Sequence, residues 1–373
     1  DGTSFVNAII LFFCIMDVLQ DRGGYDMFFR STNKPWVAIA IIFALILGMV
    51  PLFLSSPSGG SSFGQVIDPS SITKTFPDPP TAEETDGKEV VKVGVYILSV
   101  GNLDTSISRY SVDFFLNFEC VTEGCNPSNF DLMNASADTD IEDQSDPAEA
   151  GQFYYYRVRS TMRTNLDLRD FPFDSHDLEI EIEDKNKTNT EYIYIVDPAQ
   201  SGIDSSVYVS GWDLEPTITA EVKSHDYDVY NEAYSRARFY ISIGHPWFSS
   251  FMKGLFAAIV IVAVGMLSFL MKPTDAQDRI ALTSGTLASA IFYHMTLTAS
   301  IPPVGYLTYA DRFMILQYIF ITASLGVAVG LFLLQSSEEN NEKLDQLHLA
   351  TRWSIPLLWI ISMVVLHVTT LQG

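Results

Sequence analysis

Residues 278–302 read DRIALTSGTLASAIFYHMTLTASIP. As a helix, rising about 1.5 Å per residue, this run is long enough to cross the hydrocarbon core of a bilayer. It is rich in Thr, Ser, Ala and Gly, carries Tyr293 and His294, and opens on the pair Asp278–Arg279. A helix turned wholly to lipid has no use for so many hydroxyls, whereas one with water on one side and protein on the other does. Small residues also mark tight helix–helix interfaces, so the stretch by itself leaves a water-lined and a packed helix both open. Its neighbours decide. Residues 250–271, 313–334 and 353–371 are long and apolar, and the joining segments Lys272–Gln277 and IPPVGYLTYADR are short. The pattern predicts a four-helix membrane domain over 247–373, with helices at about 247–271, 278–300, 311–334 and 351–371.

The words IPPVGYLTY after a Thr/Ser-rich helix resemble the membrane domain of the pentameric ligand-gated ion channels, the Cys-loop receptor superfamily, and its prokaryotic members above all. The likeness covers a loop as well as an apolar helix, and it returns further upstream. NLDLRDFPFDSHDLEI is similar to the loop that a disulfide closes in animal receptors, here without cysteines as in prokaryotic members. VGVYILSVGNLDTSISRYSVDFFLNF resembles the first two strands of the receptor domain, and about residues 88–372 are covered in all. The resemblance implies a homopentamer gated by an extracellular ligand, calcium or protons.

Charge is concentrated in one part of the chain. The whole sequence carries a formal charge of −23, and between Ser56 and His245 there are 34 acidic residues against 13 basic ones. That aqueous domain attracts cations and repels polyanions, which argues against nucleic acid as a partner. Of three cysteines, Cys14 lies in an apolar run, while Cys120 and Cys125 stand close together in the acidic domain. In an oxidising compartment those two are expected to form a small disulfide loop; two free thiols are the alternative.

Taken in order, residues 1–34 form a cytoplasmic or interfacial segment. Residues 35–54, PWVAIAIIFALILGMVPLFL, are a full span preceded by Arg22, Arg30 and Lys34, which places the span's start in the cytoplasm. This extra N-terminal helix departs from the family pattern. Residues 55–89 are Ser/Pro/Gly-rich and read as a linker. Residues 90–246 alternate polar and apolar in many short runs, predicting an extracellular or periplasmic antiparallel β-sandwich of Ig-like type. Within it, 134–152 is expected to be an acidic loop and 151–170 a strand pair. The fold class is thus a multi-domain, multi-pass protein of the cell membrane: a β-sandwich, a four-helix bundle and an additional N-terminal helix.

No nucleophile elbow, phosphate loop or zinc spacing is present, and the six histidines are scattered, so the sequence offers no enzyme chemistry. Steps of three and four from Asp278 give Ala281, Gly285, Ala288, Phe292, Met295 and Ala299 as the pore-lining face. Phe292 and Met295 are the bulky apolar candidates for the gate, and Asp278, multiplied by symmetry, for a cation-selecting ring. A packed-shut pore face would instead make a non-conducting receptor or assembly scaffold. By resemblance, the hairpin bearing Tyr227, Tyr230 and Tyr234 caps a small-molecule agonist. Phe130, Glu183 and, from the neighbouring subunit, Tyr154 and Tyr156 would form the other walls. Asp226, Asp228 and Glu232 are alternative ligands for calcium as a modulator, the one cofactor considered. Pro172, Phe173 and Asp174 would meet the linker containing Pro302, Pro303 and Tyr306, coupling binding to the pore. His245 occupies the place where relatives carry an arginine, a position at which a histidine can titrate near neutrality against Asp174.

Overall fold

The computed structural model describes residues 72–146, 151–335 and 341–371. Residues 1–34, the helix expected at 35–54 and most of the expected linker lie outside the described residues. The chain divides into two compact units. One holds the described part of Ser58–Ala258 with Ile291–Leu316 and the residues from Val364. The other holds Ile259–Ala290 and Gln317–Met363.

Among the described residues of the first unit, eleven strands form two sheets. The strands are β1 (Thr73–Thr75), β2 (Glu89–Asp104), β3 (Arg109–Cys120), β4 (Phe130–Leu132), β5 (Asp140–Asp143) and β6 (Phe153–Arg163). They continue as β7 (Ser175–Asp184), β8 (Tyr192–Val196), β9 (Gly202–Ile203), β10 (Asp213–Tyr227) and β11 (Glu232–Gly244). One sheet runs β1-β10-β11-β7-β4, the other β5-β6-β3-β2-β8, with β9 beside β2. The pairing is mostly antiparallel, but β1 with β10 and β2 with β8 and β9 are parallel. Alternation drives the sandwich. Val91, Val93, Val95 and Ile97 of β2 and Phe114 and Leu116 of β3 face inward, as do Leu178, Ile180 and Ile182 of β7, and all are fully buried. Burial of each such side chain contributes about 1.5–3 kcal/mol.

Three details differ from the sequence reading. The acidic stretch is not a bare loop: β5 pairs with β6 in a register that sets Asp140 opposite Arg159 and Glu142 opposite Arg157. Opposite charges across a strand pair favour that pairing, so the acids act as a strand edge rather than breaking one. Residues 151–170 give a single strand, β6, followed by irregular chain, because Pro172 and the buried Leu166, Leu168 and Phe171 lead the backbone elsewhere. The expected linker also holds β1 and a four-residue helix α1 (Ala82–Thr85), closed by a capping box between Thr81 and Glu84.

The helices that follow are α2 (Trp247–Gly254), α3 (Phe256–Met266), α4 (Ala276–Thr298), α5 (Tyr309–Gln335) and α6 (Asn341–Leu371). The first expected membrane helix is therefore two, interrupted at Leu255 beside Gly254, a residue that gains little from helical backbone. The last helix starts about ten residues earlier than its apolar run, since its first turns are polar. Among the described residues three helices are long and apolar enough to cross a membrane, and a fourth if α2 and the segment Phe256–Leu270 count as one broken span. With the sheet-rich domain ahead of them, these helices make a multi-pass membrane protein.

Candidate functional site: a helix face and a joint beneath the sandwich

The Thr/Ser content of α4 divides between two faces. Thr283 and Thr286 are buried, while Ser284, Ser289 and Thr296 are exposed. Thr286 is there for packing: a Cβ at Gly265 of α3 would come within 2.9 Å of its Cγ2, so the two helices approach closely. The hydroxyls need no outside partner. Thr283 Oγ1 donates to Arg279 O (2.8 Å), Thr286 to Leu282 O (2.7 Å) and Ser289 to Gly285 O (2.9 Å). Two of the hydroxyl residues that suggested water, Thr283 and Thr286, are thus turned into the protein. Opposite the buried Arg279, Thr283, Thr286, Ala290 and Leu297 runs an exposed stripe. It carries Asp278, Ala281, Gly285, Ala288, Phe292, Met295 and Ala299, with Phe292 68% and Met295 64% exposed. Uncovered aromatic and thioether side chains on a single subunit mark a face that another surface or a lumen must meet.

At the lower edge of the sandwich, the loop 166–174 grips the starts of two helices. Leu166, Leu168 and Phe171 pack with Leu297 and Ala310, and Ile301, Val304 and Tyr306 close over them. Leu168 N donates to the Tyr306 hydroxyl (2.9 Å), and the Arg169 guanidinium lies 5.0 Å from the centre of that ring. Tyr309 N and Ala310 N, at the start of α5, donate to Arg169 O (2.7 Å) and Phe171 O (3.0 Å). Phe173 stacks on Trp247 at the start of α2 and meets Tyr309 edge-on. Pro172 sits where a Cβ on Gly254 would be, 2.8 Å from its Cγ. Pro302 is half-buried and Pro303 exposed beside these contacts.

The polar centre of this joint is Asp174, only 2% exposed. Its carboxylate accepts from His176 Nε2 on one oxygen and pairs with His245 Nδ1 (3.0 Å) on the other, while His245 N donates to Asp174 O (3.1 Å). Burial alone would raise the carboxyl pKa. The hydrogen bonds and charge of the two histidines outweigh it and bring the group down to about 2. Trp212 covers the pair, its ring centroid 3.7 Å from that of His245 and 5.5 Å from that of His176. Neither His176 nor Trp212 was singled out from the sequence. His176 follows Asp174 by two residues into β7, a spacing that puts both on one side of extended chain, and that was the available signal.

The hairpin between β10 and β11 turns at Tyr227–Glu232, with Asn231 in the left-handed region (φ 52°). At its tip Tyr230 is 73% exposed. Tyr227 is held from below: its hydroxyl donates to Glu183 (2.9 Å) and accepts from Arg236 (3.1 Å), and Glu183 itself is buried against Arg236. Tyr234 donates to Glu232 (2.9 Å). Two expected ligand walls are core residues instead. Phe130 and Tyr156 are buried with their rings 5.0 Å apart beside Phe118, because strand alternation turns them inward. Tyr154, half-buried, packs against the same core. The candidate calcium ligands Asp226, Asp228 and Glu232 are not gathered: among the described residues no group of three or more His, Cys, Asp or Glu could hold a metal ion. Cys120 and Cys125 are joined in a disulfide, Cα atoms 5.8 Å apart.

No family model matches the chain. Over 358 residues, 90% of this chain and 94% of the relative, it is 22% identical to a proton-gated ion channel of Gloeobacter violaceus. Over 178 residues, 46% of this chain and 31% of the relative, it is 22% identical to a gamma-aminobutyric acid receptor subunit beta of Caenorhabditis elegans. These relatives are an ion channel and a receptor subunit, not enzymes.

Proposed function

We propose that this chain, a member of the pentameric ligand-gated ion channel (Cys-loop receptor) superfamily, assembles as a homopentamer that conducts cations and opens on external acidification. The observation that carries the reading is the exposed stripe of α4, from Asp278 to Ala299. Five copies of that stripe round an axis make a water-filled pore in which each position becomes a ring. Asp278 supplies five carboxylates at one mouth, favouring cations over anions; with no filter of backbone carbonyls, discrimination between sodium and potassium is weak. The acidic sandwich raises the local cation concentration in the same sense. Phe292 and Met295 form the apolar constriction, where dewetting blocks ions in the closed state.

Protons are the favoured stimulus because Asp174 stays ionised between two histidines at the joint. Histidine is the side chain that gains charge in mild acid. A protonated His245 turns its hydrogen bond to Asp174 into an ion pair and draws on Pro246, the cap of α2. Phe173 ties the same loop to the start of α2, Pro172 meets its last residue Gly254, and Tyr306 packs with the loop just before α5, so the pull has contacts along which to reach those helices. The name of the Gloeobacter relative supports the same stimulus. The test is ion flux through the purified full chain in liposomes, stepped from neutral to mildly acid external pH. Acid-evoked cation flux, lost in His245→Gln, is the expected result. No flux at any pH would favour a non-conducting receptor, and acid-independent flux evoked by amines would move the stimulus to the Tyr230 hairpin.

A further inference from the structure

Strand β1 is short, yet the residues around it touch both sheets. Thr73, Lys74 and Thr75 pair in parallel with Thr217, Ile218 and Thr219 of β10, which makes β1 the edge of the first sheet. Lys74 Nζ donates to Pro198 O (2.8 Å), just beyond β8, the last strand of the second sheet. Ile72 and Phe76, on either side of β1, are half-buried and pack against the core of the sandwich. In extended chain Ile72, Lys74 and Phe76 share one face. The face that rests two apolar side chains on the core thus also carries the lysine to Pro198. Residues 72–76 bridge the two sheets on the open side of the sandwich.

β10 needs this second partner. It leaves its register with β11 between Leu214 and Ile218, where Glu215, Pro216 and Thr217 stand against Ser242 alone. Such a bulge breaks the ladder locally, and Pro216 has no N–H to offer. β1 begins to pair at Thr217, the last residue of the break. On the other side of the break Asp213 and Leu214 pair with Gly244 and Ile243, and just before them stands Trp212, the ring over His245. The start of β10 is therefore held between a two-residue pairing with β11 and the stretch that β1 supports. Trp212 and Leu214 rest on the same core as Ile72 and Phe76.

We infer that residues 72–76 are a clasp that positions Trp212 over Asp174, His176 and His245, and so sets the acidity at which the joint responds. The second half rests on the acid gating proposed above; the first does not. Three ladder residues and two half-buried side chains make a contact that opens locally while the sandwich stays folded. Opening frees the start of β10, and Trp212 leaves His245. Water around the imidazole then screens its attraction to Asp174, and the aromatic face that favours a cation is lost. Both effects make His245 harder to protonate. The charged and titratable groups about it are Asp174 and Asp170 of the loop, His176 of β7 and Asp213 of β10, with Arg312 of α5 acting on Asp170. α2 contributes the uncharged Trp247.

The test uses the purified full chain in liposomes, as wild type, Lys74→Ala, Lys74→Arg and the double variant Ile72→Ser with Phe76→Ser. Lys74 is exposed, so its substitutions spare folding. Hydrogen–deuterium exchange read by mass spectrometry should quicken over 212–219 in Lys74→Ala by about fivefold, the worth of one net hydrogen bond, and by more in the double variant. Exchange in β3 and β7 should not change. Diethyl pyrocarbonate should label His245 faster in both, with His225, near the far end of β10, as the internal reference. Both should need a lower pH for acid-evoked flux. Lys74→Arg, which can still donate to Pro198 O, should match wild type throughout. Unchanged exchange over 212–219 would overturn the clasp. Faster exchange throughout the sandwich would reduce residues 72–76 to a general contribution to stability and overturn it as well. Faster local exchange with unchanged labelling of His245 would refute the positioning of Trp212, and faster labelling with an unmoved pH response would refute its control of gating. A wild type without acid-evoked flux would remove the gating reading alone, because exchange and labelling still decide the clasp.

Discussion

Asp174→Asn changes one atom and removes the charge at the centre of the joint. The carboxyl is lowered from 3.8 to about 2 in the folded protein. At about 1.4 kcal/mol per unit, ionised Asp174 contributes about 2 kcal/mol of stability. The sign follows from proton binding. A carboxylate with a depressed folded pKa takes its proton later than the unfolded chain does. Its contribution is complete above about pH 4 and is lost as pH falls through about 2. Asparagine keeps the shape but offers one acceptor where the two histidines need two, so one buried donor loses its partner. Thermal unfolding of the purified wild type and variant over a pH series reads this directly. The gap in melting temperature should be full at neutral pH and close between about pH 4 and 2. In flux assays the variant should need a lower pH to open, because protonated His245 no longer finds an ion-pair partner. A gap that is the same at every pH, or an unaltered proton response, would refute the role given to this carboxylate.

Three further outcomes follow from the geometry. Phe292→Ala widens the proposed constriction and should leak at neutral pH; silence there, with leak from a substitution at Ala288, would move the gate. Asp278→Ala should shift the reversal potential in a NaCl gradient toward the chloride potential, and a wild type already near that potential would contradict the cation ring. Gly254→Ala places a methyl 2.8 Å from Pro172 Cγ, a clash worth about 1–3 kcal/mol. It should lower thermal stability and blunt acid-evoked flux; normal gating in that variant would show that the Pro172 contact is dispensable.

The sandwich is legible in the sequence because period-two alternation matches burial along most of β3 and β7, each of which departs from it in one run of three buried residues. Single elements misled where tertiary contacts override local pattern. Acids at 140–143 read as a loop until the arginines of β6 are placed opposite them. Tyr156 and Phe130 look like ligand aromatics in one dimension, and only the strand register shows that they face the core. The joint was half visible. Asp174 and His245 could be paired by resemblance, but Trp212 reaches them from a distant segment through space alone. Arg279 reads in the sequence as one half of an acid–base pair at a helix start, and nothing there announces that it is buried with Nε and Nη1 unpartnered.

The loop 166–174 is held without sulfur. Among the described residues Cys120–Cys125 is the disulfide present, and residues 166–174 contain no cysteine. That bridge closes a loop of a few residues, a crosslink that restricts the unfolded chain little. Apolar packing and a histidine–carboxylate cluster do the fastening that a covalent link could do, and such contacts are indifferent to thiol reagents. The coupling proposed for this joint therefore calls on no disulfide in residues 166–174. On the proposed function, a reductant that opens the small loop should leave the response to acid intact.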